Sequence, residues 1–218
     1  MKQFFITLVV ASLATIGYGQ TAIGVKGNDP FLTFNVFANV KSGGNYNVEY
    51  FPELILPNVG VFANVRFASH FAFQPELMYK QEAISFQREN ENLERGDRHF
   101  IRFNSIEMPM LLHIQGNNPF RGFGQIGVGP KFLMRATYSE RQKSARTDIS
   151  RYFNSTQLVF HLGGGVMWET RKWIFMADGR FSGSISDISS DSYNPYLDFK
   201  DATSVYLSFS VGVGYKIR

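Results

Sequence analysis

Three sets of residues in this chain have types and spacings that could do chemistry. The first is Gly122-Phe123-Gly124-Gln125-Ile126-Gly127, which has the GxGxxG spacing of a pyrophosphate cradle. That chemistry needs the glycines to follow a strand and open a helix, whose N-terminus meets the phosphates. Here the alternation of apolar and polar residues continues past Pro130 with no helical period behind it, so a dinucleotide site is excluded. The second set is the four histidines, His70, His99, His113 and His161. His161 and Glu169, a pair suited to acid–base work, stand eight residues apart on one extended segment, too far to touch at about 3.3 Å per residue. No nucleophile, base and orienting group come together in the pattern, so no catalytic residue, cofactor or metal is expected.

The third set is ionic. Lys26, Arg66, Glu76, Lys80, Glu107, Lys131, Arg135, Asp178 and Arg180, with Lys216, share the polar side of segments whose other side is apolar. Charges held inside a narrow structure are costly unless they pair. A salt-bridged interior is therefore expected, with Glu76, Glu107 and Arg180 in one network; the competing chemistry is a selective pore.

The segments that must position these charges are strands. In Val205–Arg218, Val205, Leu207, Phe209, Val211, Val213, Tyr215 and Ile217 fall on one face, and Tyr206, Ser208, Ser210, Gly212, Gly214, Lys216 and Arg218 on the other. The same period of two organises 58–67, 71–80, 106–115, 125–138, 158–169 and 173–184, and a short segment at Ala22–Asn28 brings the count to eight. A soluble sandwich would turn the apolar face inward; a membrane barrel turns it outward and fills the lumen with polar groups. Small and charged residues on the polar face, and aromatics at segment ends (Phe67, Phe71, Tyr138, Trp168, Trp173, Tyr215), favour the barrel.

Connection lengths alternate. Ala68-Ser69-His70, Gly116-Asn117-Asn118-Pro119 and Thr170-Arg171-Lys172 are short, whereas about 29–57, 87–99, 139–156 and 186–203 are long loops. That is the wiring of an outer-membrane barrel with periplasmic turns, which puts both termini in the periplasm. The expected fold is all-β: an eight-stranded antiparallel up-and-down transmembrane β-barrel over residues 20–218.

Residues 1–19 read as a signal peptide: a basic start, an apolar run from Phe4 to Ile16, and small residues at Gly17 and Gly19. Composition agrees with the barrel. Charged residues make up 18% and aromatics 16%, while a mean hydropathy of −0.14 is what two opposed faces average to. The absence of Cys excludes disulfides, thiolate metal sites and a catalytic Cys. The net charge of +4 is scattered and carries no binding module, so nucleic acid is not an expected partner. Arg141, Lys143, Arg146 and Arg151, set against Glu140 and Asp148, read either as a solvated outer loop or as a basic rim that suits lipopolysaccharide phosphates.

Several segments resemble a known family. Ile23-Gly24-Val25-Lys26-Gly27-Asn28, Phe73-Gln74-Pro75-Glu76-Leu77-Met78-Tyr79, Ser105-Ile106-Glu107-Met108-Pro109-Met110-Leu111-Leu112, Gly127-Val128-Gly129-Pro130 and Asp178-Gly179-Arg180-Phe181-Ser182 are similar to strands of the PorT-like outer-membrane β-barrel proteins of Bacteroidetes. The chain departs from them in the length of 29–57 and in ending on Arg218. The resemblance implies the eight-stranded fold and, through the namesake, a link to type IX protein secretion. The expected function is that of a non-enzymatic outer-membrane barrel with a structural, adhesion or secretion-accessory task. The alternatives are a small pore or a lipid-modifying outer-membrane enzyme. Its expected partners are outer-membrane lipid and lipopolysaccharide, and other envelope or secretion proteins.

Overall fold

The structure is a computed structural model, and it describes residues 20–28, 34–42, 46–49, 58–88, 99–139, 146–187 and 199–217. The leader expected over 1–19, and Arg141 and Lys143 of the basic loop, lie outside the described residues.

Among the described residues the strands are β1 (Gln20–Asn28), β2 (Phe34–Ser42), β3 (Tyr46–Glu49), β4 (Asn58–Arg66), β5 (Phe71–Arg88), β6 (His99–Glu107), β7 (Met110–Gln115), β8 (Phe120–Ser139), β9 (Thr147–Asp148), β10 (Thr156–Glu169), β11 (Trp173–Ser184) and β12 (Phe199–Lys216). All pairings are antiparallel, and β1 bonds to both β4 and β12, so the sheet closes on itself. Closure removes the edges that would otherwise expose unpaired backbone.

The twelve strands make eight staves, because four staves are each built from two pieces, β9 preceding β10 along β8. β6 and β7 are separated by Met108 and Pro109; proline has no N–H for the ladder, and its carbonyl instead accepts from the Glu76 N–H at 2.9 Å. β2 takes over from β1 along β12, and β3 precedes β4 along β5. The region 29–57, expected as a loop, is thus in part barrel wall carried beyond the rim. The other long connections are also shorter than expected, since β5 runs to Arg88, β8 to Ser139, and β12 begins at Phe199. The three short turns fall where the alternation puts them, at one end of the barrel.

The faces are inverted relative to a soluble protein. Ile23, Val61, Ile126, Leu162, Phe181 and Val211 stand exposed on the outer wall. Lys26, Gln74, Glu107, His161, Asp178 and Ser182 are buried within. Phe67, Phe71, Trp168, Trp173 and Tyr215 ring the turn end on the outside, with Phe67 stacked on Phe71 and Trp173 edge-on to Tyr215 at 5.2 Å. Tyr138 does not join that outer ring. It is buried, 2.8 Å from His99 Nδ1 through its hydroxyl. The cause is a bulge: Asn104 pairs Arg135 but Ser105 pairs Leu133, so one extra residue in β8 exchanges the two faces beyond it.

The inward glycines serve close approach of the strands. A side chain at Gly127 would fall on the Met110 carbonyl oxygen of the paired stave, and Leu111 already lies over that position. Gly24 and Gly214, paired across β1 and β12, lie under the ring of Phe62, which is buried in the lumen. An aromatic lying across small neighbours restores the contacts the glycines lack.

Candidate functional site

The inward side chains stack in layers along the barrel. Nearest the turns, Arg121 and Lys216 both hold the Glu169 carboxylate, at 2.6 and 2.5 Å. Above them Ala22, Phe62, Phe123, Met167, Ile174 and Met176 form an apolar layer.

The next layer is ionic and sealed. Arg180 donates to both oxygens of Glu76, at 2.7 and 2.9 Å, the two-pronged geometry that a planar guanidinium allows. Lys26 lies 2.7 Å from Asp178 and 3.2 Å from Glu76. Amides complete the shell. Gln74 donates to Glu76, Gln125 donates to Asp178 and accepts from Arg180, and Ser210 donates to Asp178. Two cations thus face two carboxylates, and the Lys26, Glu76 and Asp178 side chains are at most 1% exposed.

A second ionic layer sits closer to the loops. Lys80 and the Tyr206 hydroxyl both donate to Glu107 Oε2, at 2.7 and 2.8 Å, and Lys80 stands 4.1 Å from the centre of the Tyr206 ring. Lys131 donates to both oxygens of Glu82. Toward the loop end lies an apolar layer in which Phe103 meets Phe153 edge-on at 5.0 Å and Ile149 is fully buried.

Of the residues expected to line the interior, Lys26, Glu76, Asp178 and Arg180 meet in one layer, and Lys80, Glu107 and Lys131 in the next. Among the described residues Glu107 makes no direct hydrogen bond or ion pair with Arg180 or Glu76, so the expected single network divides between two layers. Three residues lie outside both layers, one of them Lys216 in the layer nearest the turns. Arg66, at the turn end of β4, reaches the Ser69 carbonyl and Asn117. Arg135 follows the β8 bulge, so it points outward and meets Asp148 at 3.4 Å, exposed. Strict alternation, counted through a bulge that the sequence does not mark, puts it on the wrong face.

Other members were not marked by charge alternation. Glu82 and Arg121 lie beyond the stretches in which the period is cleanest. Tyr206 falls on the polar side of Val205–Arg218, as the alternation places it, but an uncharged aromatic gives no sign that it belongs to an ionic layer.

The histidines divide. His70 is exposed in a turn beside Ser69 and Asn117. His113 stacks on Phe123 at 4.7 Å. His161 Nδ1 lies 2.9 Å from Ser182 Oγ and its Nε2 lies 3.2 Å from Glu107 Oε1, which brings a Ser, a His and a carboxylate together across three staves. The 3.2 Å approach is not aligned as a hydrogen bond, and all three residues are sealed from solvent. Ser182 itself is fully buried. Among the described residues no three His, Asp or Glu side chains converge to hold a metal ion.

The GxGxxG glycines lie within β8, with no helix behind them. Gly122 and Gly124 face outward, and only Gly127 is required by its surroundings.

The chain has been compared with known proteins. No curated protein matches it closely enough to count as a relative. Its structure is similar to the outer membrane protein OprG from Pseudomonas aeruginosa (TM-score 0.49, 15% identity, covering 92% of this chain and 97% of that one). It is also similar to Ail, the attachment invasion locus protein of Yersinia pestis, crystallised with the heparin analogue sucrose octasulfate (TM-score 0.46, 11% identity, 92% and 99%). A family model described as the outer membrane protein beta-barrel domain matches residues 19–190. With its apolar face outward, its charges inward and most of its length matched, the chain belongs to the outer membrane protein beta-barrel domain family.

Proposed function

We propose that this protein is a plugged, non-enzymatic outer-membrane barrel whose task is carried by its loop end, as a structural, adhesion or secretion-accessory component. The observation that carries this reading is the filling of the lumen. Among the described residues two neutralised ionic layers and two apolar layers follow one another along the axis, with the side chains that could react buried between them. An eight-stranded barrel has an interior that side chains can fill. What remains free to interact is the outer wall and the loops.

In this reading residues 1–19 are removed as a signal peptide, and the short turns and both termini face the periplasm. The similarity of Phe73–Tyr79 and Ser105–Leu112 to the PorT-like proteins supports a place in that narrower group, near a protein-secretion apparatus.

The absence of Cys makes a direct test available. Single cysteines at Asp187, beside the loops, and at Arg171, in a short turn, are treated in intact cells with a membrane-impermeant maleimide. Asp187→Cys is expected to label and Arg171→Cys to label only after the envelope is opened; the reverse pattern overturns the orientation. A photo-crosslinking residue at position 187 is expected to capture a discrete envelope protein in living cells. No capture, together with an unchanged secretome in a deletion strain, counts against a partner-binding task.

A further inference from the structure

The bulge that turns Arg135 outward also creates a site. On the outer face, the register places Gln81, Asn104 and Arg135 in one row and Arg102 and Thr137 in the next row toward the loops. These residues, with Arg146 from the returning loop, line a cavity of about 200 Å³. Glu82 also reaches its wall, but both its oxygens are held by Lys131. Three arginines therefore line one small space. Asp148 offsets one of them, through Arg135. Arg102 Nε is buried and has no hydrogen-bond partner.

Mutually repelling cations around a cavity, with an unpartnered buried donor, are the complement of an anion. The forked donors of Arg suit the oxygens of a phosphate. The position selects the source of that phosphate. The cavity lies one step loopward of the outward-facing Phe132 and Met134, on the lipid side of the wall. That is the level at which acyl chains give way to headgroups.

We propose that Arg102, Arg135 and Arg146, with Gln81, Asn104 and Thr137, form a binding site for the phosphorylated headgroup of a membrane lipid. The proposal rests on the reading of the chain as a membrane barrel, but not on its having a protein partner or a closed lumen.

The test uses the full mature chain, purified in detergent and analysed by native mass spectrometry. The probes are a bisphosphorylated lipid A, the same lipid with its phosphates removed, and inorganic phosphate. The wild type is expected to retain the bisphosphorylated lipid. It should retain the dephosphorylated lipid about tenfold less, and inorganic phosphate should not compete at equal concentration. Arg146→Gln, at an exposed position, and Arg102→Gln with Arg146→Gln together, are expected to lower retention progressively, with heat-modifiable gel mobility confirming that each still folds. Equal retention of the two lipids by the wild type overturns the proposal. So does undiminished retention by a folded double variant. Competition by inorganic phosphate as effective as by the lipid would instead make this a site for a soluble anion and overturn the headgroup assignment. A conducting barrel that still retains the lipid would contradict the plugged-barrel reading and leave this one standing.

Discussion

Glu76→Gln is expected to lower the temperature at which the folded barrel converts to its unfolded gel mobility by about 10 °C or more. The amide keeps the shape of the carboxylate but removes its charge, leaving Lys26 and Arg180 to share Asp178 alone in a layer closed to water. Breaking a buried ion pair on one side costs about 3–5 kcal/mol, because the surviving charge stays buried and uncompensated. Glu107→Gln should act in the same direction, since it removes the negative charge that Lys80 faces at 2.7 Å. Glu169→Gln, in the layer nearest the turns where its side chain is 12% exposed, should shift the transition less. Equal shifts for all three would mean that the layers do not differ in burial as described, and no shift for Glu76→Gln would remove the ionic plug from the account.

Gly127→Val is expected to prevent accumulation of the folded barrel almost entirely, while Gly124→Val is tolerated. Both positions belong to the same GxGxxG stretch, and a phosphate cradle would need them alike. The barrel does not. At Gly127 a side chain would meet the backbone of Met110, which cannot yield without opening the seam between β7 and β8. At Gly124 it would meet nothing within 4 Å, on the lipid side. The amount of heat-modifiable protein in outer-membrane fractions reads the difference. Comparable loss at both positions would show that the glycines act through something other than strand approach.

The number of staves, the outward apolar face, the turn end with its Trp and Phe residues, and the inward Lys26, Glu76, Lys80, Glu107, Asp178 and Arg180 were all legible in the sequence. Alternation is a strong signal, because a slip of one residue would expose every charge to lipid. What alternation cannot see is a change of phase. The extra residue in β8 has no compositional mark, and it alone moved Tyr138 inward and Arg135 outward. Nor does alternation say which inward charges meet. Arg180 and Glu76 lie 104 positions apart, and their bidentate contact depends on shear across the barrel, which fixes heights that no single segment records. The same holds for Ser182, His161 and Glu107, which come from three separate staves. The walls contributed by β2 and β3 were hidden for another reason. β2 continues the stave of β1 after a break and β3 opens the stave of β4, so both read as part of one long connection.

The most direct test of a plugged, inside-out barrel is electrical. Purified protein of the full mature chain, reconstituted into planar lipid bilayers and shown by heat-modifiable mobility to be folded, is predicted to give no stepwise conductance at voltages where porins conduct. Reproducible unitary steps from the folded wild type would contradict the account, because ions would then cross the layers that Glu76 and Glu107 are said to close.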